Sequence, residues 1–191
     1  MIESKDRSYY FGASDTDKII GKRNSETWLK WWLQKLGINN SHFDNVYTLA
    51  GTYFEHKILE SLKKTEMEFD KQVIIEDLRL RVNLDGNTPF CIYECKTCKA
   101  DKPFVLPSKY VNQVQVQMYA SKIHNAIIVV YPLTDDDYKN FFKPVDISRI
   151  MLFEIEYDEK WIEEKYLPNL KELSEDLKRG KLPNGVKGFV T

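Results

Sequence analysis

The chain has 191 residues, with 28 Lys and Arg against 29 Asp and Glu and a formal net charge of −1. That length suits one domain with a substantial core, and the near balance of charge excludes a general polyelectrolyte attraction for nucleic acid, so any such contact must come from a local cluster of Lys and Arg. No apolar run approaches the ~20 residues of a membrane span, and the start, from Met1 to Arg7, lacks a signal-peptide core, so an intracellular, non-secreted protein is expected.

Residues 14–20 read as a short helix, with Ser14 a good N-cap, Asp17 at the capping-box position and Gly21 at the end. Glu26 to Leu36 forms a second helix. Trp28, Trp32 and Leu36 share one stripe, Leu29 and Leu33 lie beside it, and Gly37 closes it. Its tryptophans could stack on bases, but they fit core packing better. Residues 48–64 make a third helix with Phe54, Ile58, Leu59 and Leu62 as its apolar positions. Then the period changes. Leu78, Leu80, Val82 and Leu84 alternate with Arg79, Arg81, Asn83 and Asp85, a half-buried strand whose partner runs over 90–97.

A Pro-containing loop, 101–107, follows. From Val111 to Met118 the chain alternates like a strand, yet Pro107-Ser108 is a helix start and Val111, Val114 and Met118 fit a helical face. Pattern alone leaves that segment open. Residues 123–131 read as a buried strand stopped by Pro132, 134–146 as a charged loop and 148–157 as a further strand. From Asp158 an amphipathic helix carries Trp161, Leu170, Leu173 and Leu177, and the tail 180–191 reads as loose. No repeat or linker divides the chain, so 1–191 is taken as a single domain.

The stretch with most chemical content is Asn83 to Lys96: an Asp85-Gly86 before a turn, then an apolar strand ending in Glu94-Cys95-Lys96. Side chains alternate along a strand, so Glu94 and Lys96 point the same way, and a hairpin across the Gly86–Pro89 loop brings Asp85 near them. Two carboxylates a few ångströms apart repel unless a cation sits between them, and Mg²⁺ favours one or two carboxylates with waters and phosphate oxygens. A lysine beside that cation can orient a water or stabilise charge building on phosphate. The pattern therefore points to a metal-dependent phosphodiesterase site. Glu-x-Lys alone carries little weight, since it recurs at Glu3, Glu55 and Glu163. The competing reading is a surface hairpin with a cross-strand ion pair worth ~0.2–1 kcal/mol.

Cys91, Cys95 and Cys98 fall close together, but there is no fourth cysteine, and His42, His56 and His124 are scattered. Metal or iron–sulfur ligation by these thiols is therefore disfavoured against packing, and an odd cysteine count fits a reducing compartment.

Five motifs in order carry a resemblance. Arg7 and Ser14 form Arg-x6-Ser, Gly51 and Glu55 form Gly-x3-Glu, Asp85-Gly86 and Glu94-Cys95-Lys96 follow, and Tyr110-Val-Asn-Gln113-Val-Gln closes the set. On these residues the chain resembles the lambda exonuclease/YqaJ-type viral recombinase branch of the PD-(D/E)xK nucleases, from Arg7 to about Leu177. Asn83-Leu84 stands before Asp85 where members often have Ser-Pro.

The resemblance implies an α/β (α+β) fold with a central mixed sheet flanked by helices, and it makes 108–121 helical. It implies a Mg²⁺-dependent 5′→3′ exonuclease on the ends of double-stranded DNA, with Mn²⁺ able to substitute. A ring-shaped homotrimer and a single-strand annealing protein as partner are also implied, in the cytoplasm of a host cell if the chain is viral. Asp85 and Glu94 would be metal ligands with the backbone carbonyl of Cys95, Glu55 a supporting ligand, and Lys96 the group at the attacking water and phosphate. Gln113 would bond near the lysine or a water. Arg7 and Ser14 would take the 5′-phosphate, the Ser at a helix N-terminus, although Asp15 and Asp17 would repel phosphate there unless they face away. Lys99, Lys102, Lys109 and Arg23 are candidate backbone contacts. The alternatives are a structure-specific endonuclease of the same superfamily and a catalytically silent module that binds DNA ends or a partner.

Overall fold

The computed structural model describes residues 8–38 and 46–186. Their centre is a five-stranded mixed sheet in the order β1-β2-β3-β4-β5. The strands are β1 (Glu68–Ile75), β2 (Leu80–Asn87), β3 (Ile92–Lys99), β4 (Asn125–Leu133) and β5 (Met151–Glu156). All neighbours are antiparallel except β3 and β4, whose parallel pairing runs from Ile92↔Ala126 to Lys99↔Leu133. A parallel pair needs a crossover, and the segment carrying α4 (Ser108–Ser121) supplies it.

β3 and β4 are covered on both faces. One face meets α3 (Val46–Ser61), where Ala50, Phe54, Ile58 and Leu59 pack on Tyr93, Cys95, Val129, Tyr131 and Leu133. The other face carries Ile92, Ile128 and Val130 against Val114 and Met118 of α4 and the leucines of α7 (Leu167–Lys178). This two-sided burial explains why β4 reads as a continuous apolar run. Trp28, Trp31 and Trp32 of α2 (Glu26–Lys35) belong to the second cluster. Trp28 and Trp32 stack with centroids 5.6 Å apart, so the tryptophans are core.

Several expectations are corrected. The first helix is not capped by Ser14 and Asp17. The backbone N–H of Gly12 donates to Asp15 Oδ2 at 2.7 Å, closing a short 3₁₀ turn (Ala13–Asp15) ahead of α1 (Thr16–Ile20), because Asp15 stands three residues after Gly12. Pro132 lies inside β4 rather than ending it. β4–β5 pairing stops at Val130↔Met151, so the missing N–H of Pro132 breaks no ladder bond with β5. Within 134–146, Thr134 and Asp137 cap each other to start α5 (Asp135–Lys139). The last helix begins at α6 (Glu159–Trp161), passes through a widened π turn (Ile162–Tyr166) and continues as α7. Part of the tail is held: Trp32 donates to the Lys181 carbonyl and Pro183 is buried. Among the described residues no helix is long and apolar enough to cross a membrane.

Candidate active site

The site grows out of a fork in the sheet. β2 and β3 pair at only two positions, Gly86↔Tyr93 and Asn87↔Ile92, before they part. Beyond that point Asp85 Oδ2 accepts the Cys95 backbone N–H at 2.8 Å, a side chain doing what the ladder no longer does. Further along, Phe11 enters the gap beside Leu80, exchanging backbone bonds of 2.7 and 2.8 Å with Arg79 and Arg81. The turn Ala13–Asp15 is thereby carried to the mouth of the fork.

Between these walls lies an open cavity of about 300 Å³. Asp85, Glu94, Cys95, Lys96, Glu55 and Gln113 line it together with Ser14, Gly12, Tyr10, Arg81, Asn83 and Lys35. Seven of the eight expected site residues, including Ser14, are thus brought together. The eighth, Arg7, lies outside the described residues.

Glu94 is the most enclosed of the carboxylates lining the cavity, at 1 % exposure. Its Oε1 accepts from Lys96 Nζ and from Gln113 Nε2, each at 2.5 Å, and its Oε2 accepts from Gln117 Nε2 at 2.5 Å. Gln117 also donates to the Asn83 carbonyl, which ties α4 to β2. Charge-assisted bonds of this kind are the strong ones, and three of them fix the Glu94 carboxylate in one orientation. Glu55 reaches the site from α3 because Gly51, one turn earlier, lets the helix approach β3: a Cβ there would meet Thr97 Oγ1 at 3.2 Å.

The electrostatics are those of crowded carboxylates. Burial pushes the Asp85 carboxyl well above its usual range, and the charges of Glu94 and Glu55 push it further. Glu55 is raised to about 7, again by burial first and then by Glu94, against the opposing pull of His56 and Lys96. Burial works against the charge on Lys96, but Glu94 and Asp85 outweigh it and hold the ammonium protonated to higher pH than usual. Carboxylates that raise one another's proton affinity are a site that lacks positive charge. Oxygen donors packed this way suit a hard dication such as Mg²⁺, so the residues fit the metal implied by the resemblance. The Cys95 thiol is not a candidate ligand: burial raises it well above the ordinary thiol range, and it packs under α3.

Several residues of this wall were missed in the sequence. Gln117 stands four residues after Gln113, on the same helical face, and that spacing was a usable signal. Lys35 and Asp15 form an ion pair of 2.6 Å in the wall of the cavity, at 1 % and 7 % exposure, and Asp15 also accepts from Trp31 Nε1. Asp15 thus lines the cavity beside Ser14 with its charge offset by the Lys35 ammonium. Asp17 is turned toward Asn112. Of the candidate backbone contacts, Arg23 is engaged elsewhere, bonded to both Glu172 oxygens at 2.7 and 2.9 Å.

No family model and no curated protein matches the chain. Solved structures do. The alkaline exonuclease of Laribacter hongkongensis superposes with a TM-score of 0.66 at 17 % identity, over 90 % of this chain and 89 % of its own. The same enzyme in complex with dAMP gives 0.64 at 18 % identity over 90 % and 89 %. A phage-related exonuclease from Haemophilus somnus 129PT gives 0.64 at 17 % over 90 % and 96 %. This chain has the fold of these exonucleases. The mixed sheet flanked by helices that the lambda exonuclease/YqaJ resemblance implied is the architecture found.

Proposed function

We propose that this chain is a metal-dependent deoxyribonuclease that digests one strand of linear duplex DNA from its end in the 5′→3′ direction, leaving 3′ single strands for recombination by annealing. One observation carries the reading: Asp85, Glu94 and Lys96 converge with Glu55 and Gln113 in a single open cavity at the fork of β2 and β3. The fold shared with exonucleases supports it, and the dAMP bound by the Laribacter enzyme is the product a DNA exonuclease would release.

Asp85 and Glu94, with the Cys95 carbonyl and Glu55 in support, would hold Mg²⁺ or, in its place, Mn²⁺. Such an ion supplies a Lewis acid at the scissile phosphate and makes a neighbouring water more acidic. Lys96 stays charged beside Glu94 and faces the same cavity, so it stabilises negative charge as it builds on the phosphate oxygens. Gln113 and Gln117 keep Glu94 from rotating, and α4 thereby sets the distance between the carboxylates and the bound strand. Ser14, with Arg7 just upstream in sequence, would meet the terminal 5′-phosphate in the same cavity. A homotrimer and a single-strand annealing protein complete the proposal, as does action on DNA inside a cell.

The test is digestion of strand-labelled linear duplex with 5′-phosphate or 5′-hydroxyl ends, in Mg²⁺ or EDTA, by wild type and Asp85→Ala. Metal-dependent release from the 5′ end, lost in the variant and absent on closed circles, is the expected result. Nicking of circles would make the chain an endonuclease. Tight binding of ends without cleavage in Mg²⁺ would leave it a recognition module.

A further inference from the structure

Beside the nuclease centre stands a second set of donors, of which the proposed chemistry uses only Glu55. Glu55, His56 and Asp70 each offer a ligand atom, and the three atoms lie within 4.8 Å of one another. We propose that these side chains bind Zn²⁺, and that Glu55 is shared with the nuclease centre, so that filling this site draws Glu55 away and lowers Mg²⁺-supported cutting. The clause on cutting rests on the nuclease reading; the binding site does not.

The geometry begins with His56 and Asp70, which come from different elements. His56 Nε2 is 3.3 Å from Asp70 Oδ1. That is beyond the usual ~2.9–3.0 Å of an N–H···O bond. It is about the edge of a tetrahedron of donors placed ~2.0–2.1 Å from a zinc ion. Glu55 and His56 are consecutive on α3 and diverge by about 100° around the helix axis. They face a common point because β1 crosses beside them. Asp70 drops out of the β1–β2 pairing, which passes from Phe69↔Gly86 to Lys71↔Leu84, and its backbone sits at φ 55°, delivering its carboxylate to His56 and the cavity. The Phe69 ring packs against the imidazole, with centroids 5.5 Å apart.

The donor set selects the ion. Mg²⁺ takes oxygen and sheds water reluctantly, whereas one imidazole with two carboxylates suits Zn²⁺. Access is open, since the His56 side chain is 49 % exposed. An ordinary surface His–Asp contact would need no third donor. Here Glu55 supplies one, turned toward the same point while it also lines the cavity of Asp85 and Glu94.

Zinc binding is measured by calorimetry on metal-stripped Asp85→Asn, which removes the main ligand of the nuclease centre, and on Asp85→Asn carrying His56→Gln or Asp70→Asn. The expected result is one zinc site in the parent that weakens at least tenfold in each double variant, with His56 imidazole NMR signals shifting in the parent at zinc concentrations that leave them unmoved in the Asp70→Asn double variant. Coincident isotherms for the parent and both double variants would overturn the site. The shared ligand is tested in the otherwise wild-type chain: zinc should inhibit Mg²⁺-supported cutting, and His56→Gln should need at least tenfold more zinc for the same inhibition. Equal sensitivity would overturn the sharing of Glu55. If the chain cuts no DNA but the double variants still lose zinc, the nuclease reading falls and the metal site stands.

Discussion

Removing the charge of Glu55 should make the metal-free protein more stable, and more so at high pH. The carboxyl titrates near 4.5 in the unfolded chain and at about 7 in the folded one, raised by burial and by Glu94. The folded state therefore holds more protons than the unfolded state between those values, and stability falls as pH rises from 4.5 through 7. Integrating that difference gives a cost, relative to a neutral side chain, of about 1 kcal/mol at pH 5.5 and about 3 kcal/mol at pH 8. Glu55→Gln keeps the shape and removes the titration, so it should gain those amounts. At 191 residues, the pH 8 figure corresponds to a rise in Tm of roughly 6–12 °C. Asp85 is pushed in the same direction by the same neighbours, and relief of its crowding in the variant adds to the effect. The assay is thermal and urea unfolding of both proteins in EDTA at pH 5.5 and pH 8. A variant whose stability parallels wild type across pH, or falls below it at pH 8, would refute the account. Mg²⁺ should narrow the gap at pH 8 by stabilising wild type, about 2.7 kcal/mol at a hundredfold excess over Kd, and the variant less.

Lys96→Met should lower single-turnover cleavage by about 10²–10³-fold while end binding, read by anisotropy, changes little; unimpaired cleavage would remove Lys96 from the mechanism. Gln117→Leu deletes one of the three donors to Glu94, so cleavage should fall roughly 10–100-fold with a raised Mg²⁺ requirement. An unchanged Mg²⁺ titration would mean that Lys96 and Gln113 suffice to orient the carboxylate. Asp15→Ala removes the carboxylate paired with the Lys35 ammonium, which is 1 % exposed, and should cost about 3–5 kcal/mol in urea unfolding. Adding Lys35→Met should recover part of that loss, and additive destabilisation would refute the pairing.

The parts of this site that could be read from the sequence are those written within one element. Glu94 and Lys96 share a strand face and bond directly. The α3 stripe of Phe54, Ile58 and Leu59 packs as expected and carries Glu55 to its edge. The parts that could not be read depend on tertiary placement. β1 gave no clear alternation because it is an edge strand, exposed along most of its length and interrupted at Asp70. Lys35, one turn after Trp31, carries no local sign of burial; its ammonium is paired with Asp15, twenty positions earlier. Ser14 looked like a cap because four residues of local pattern favour it, while the carboxylate that closes the turn was Asp15.

The fork accounts for why these scattered residues meet. Had β2 and β3 stayed paired beyond Gly86↔Tyr93, backbone bonds would fill the space between Asp85 and Cys95, and no cavity would separate the strands. Their parting leaves backbone donors to be satisfied, and the molecule meets that need with Asp85 on one side and Phe11 on the other. The carboxylate of Asp85 is thus oriented by a structural bond before any ligand arrives. The same opening gives Gln113 and Gln117 of α4 access to Glu94. Parting the strands creates the cavity, and meeting the exposed backbone fixes its acidic wall.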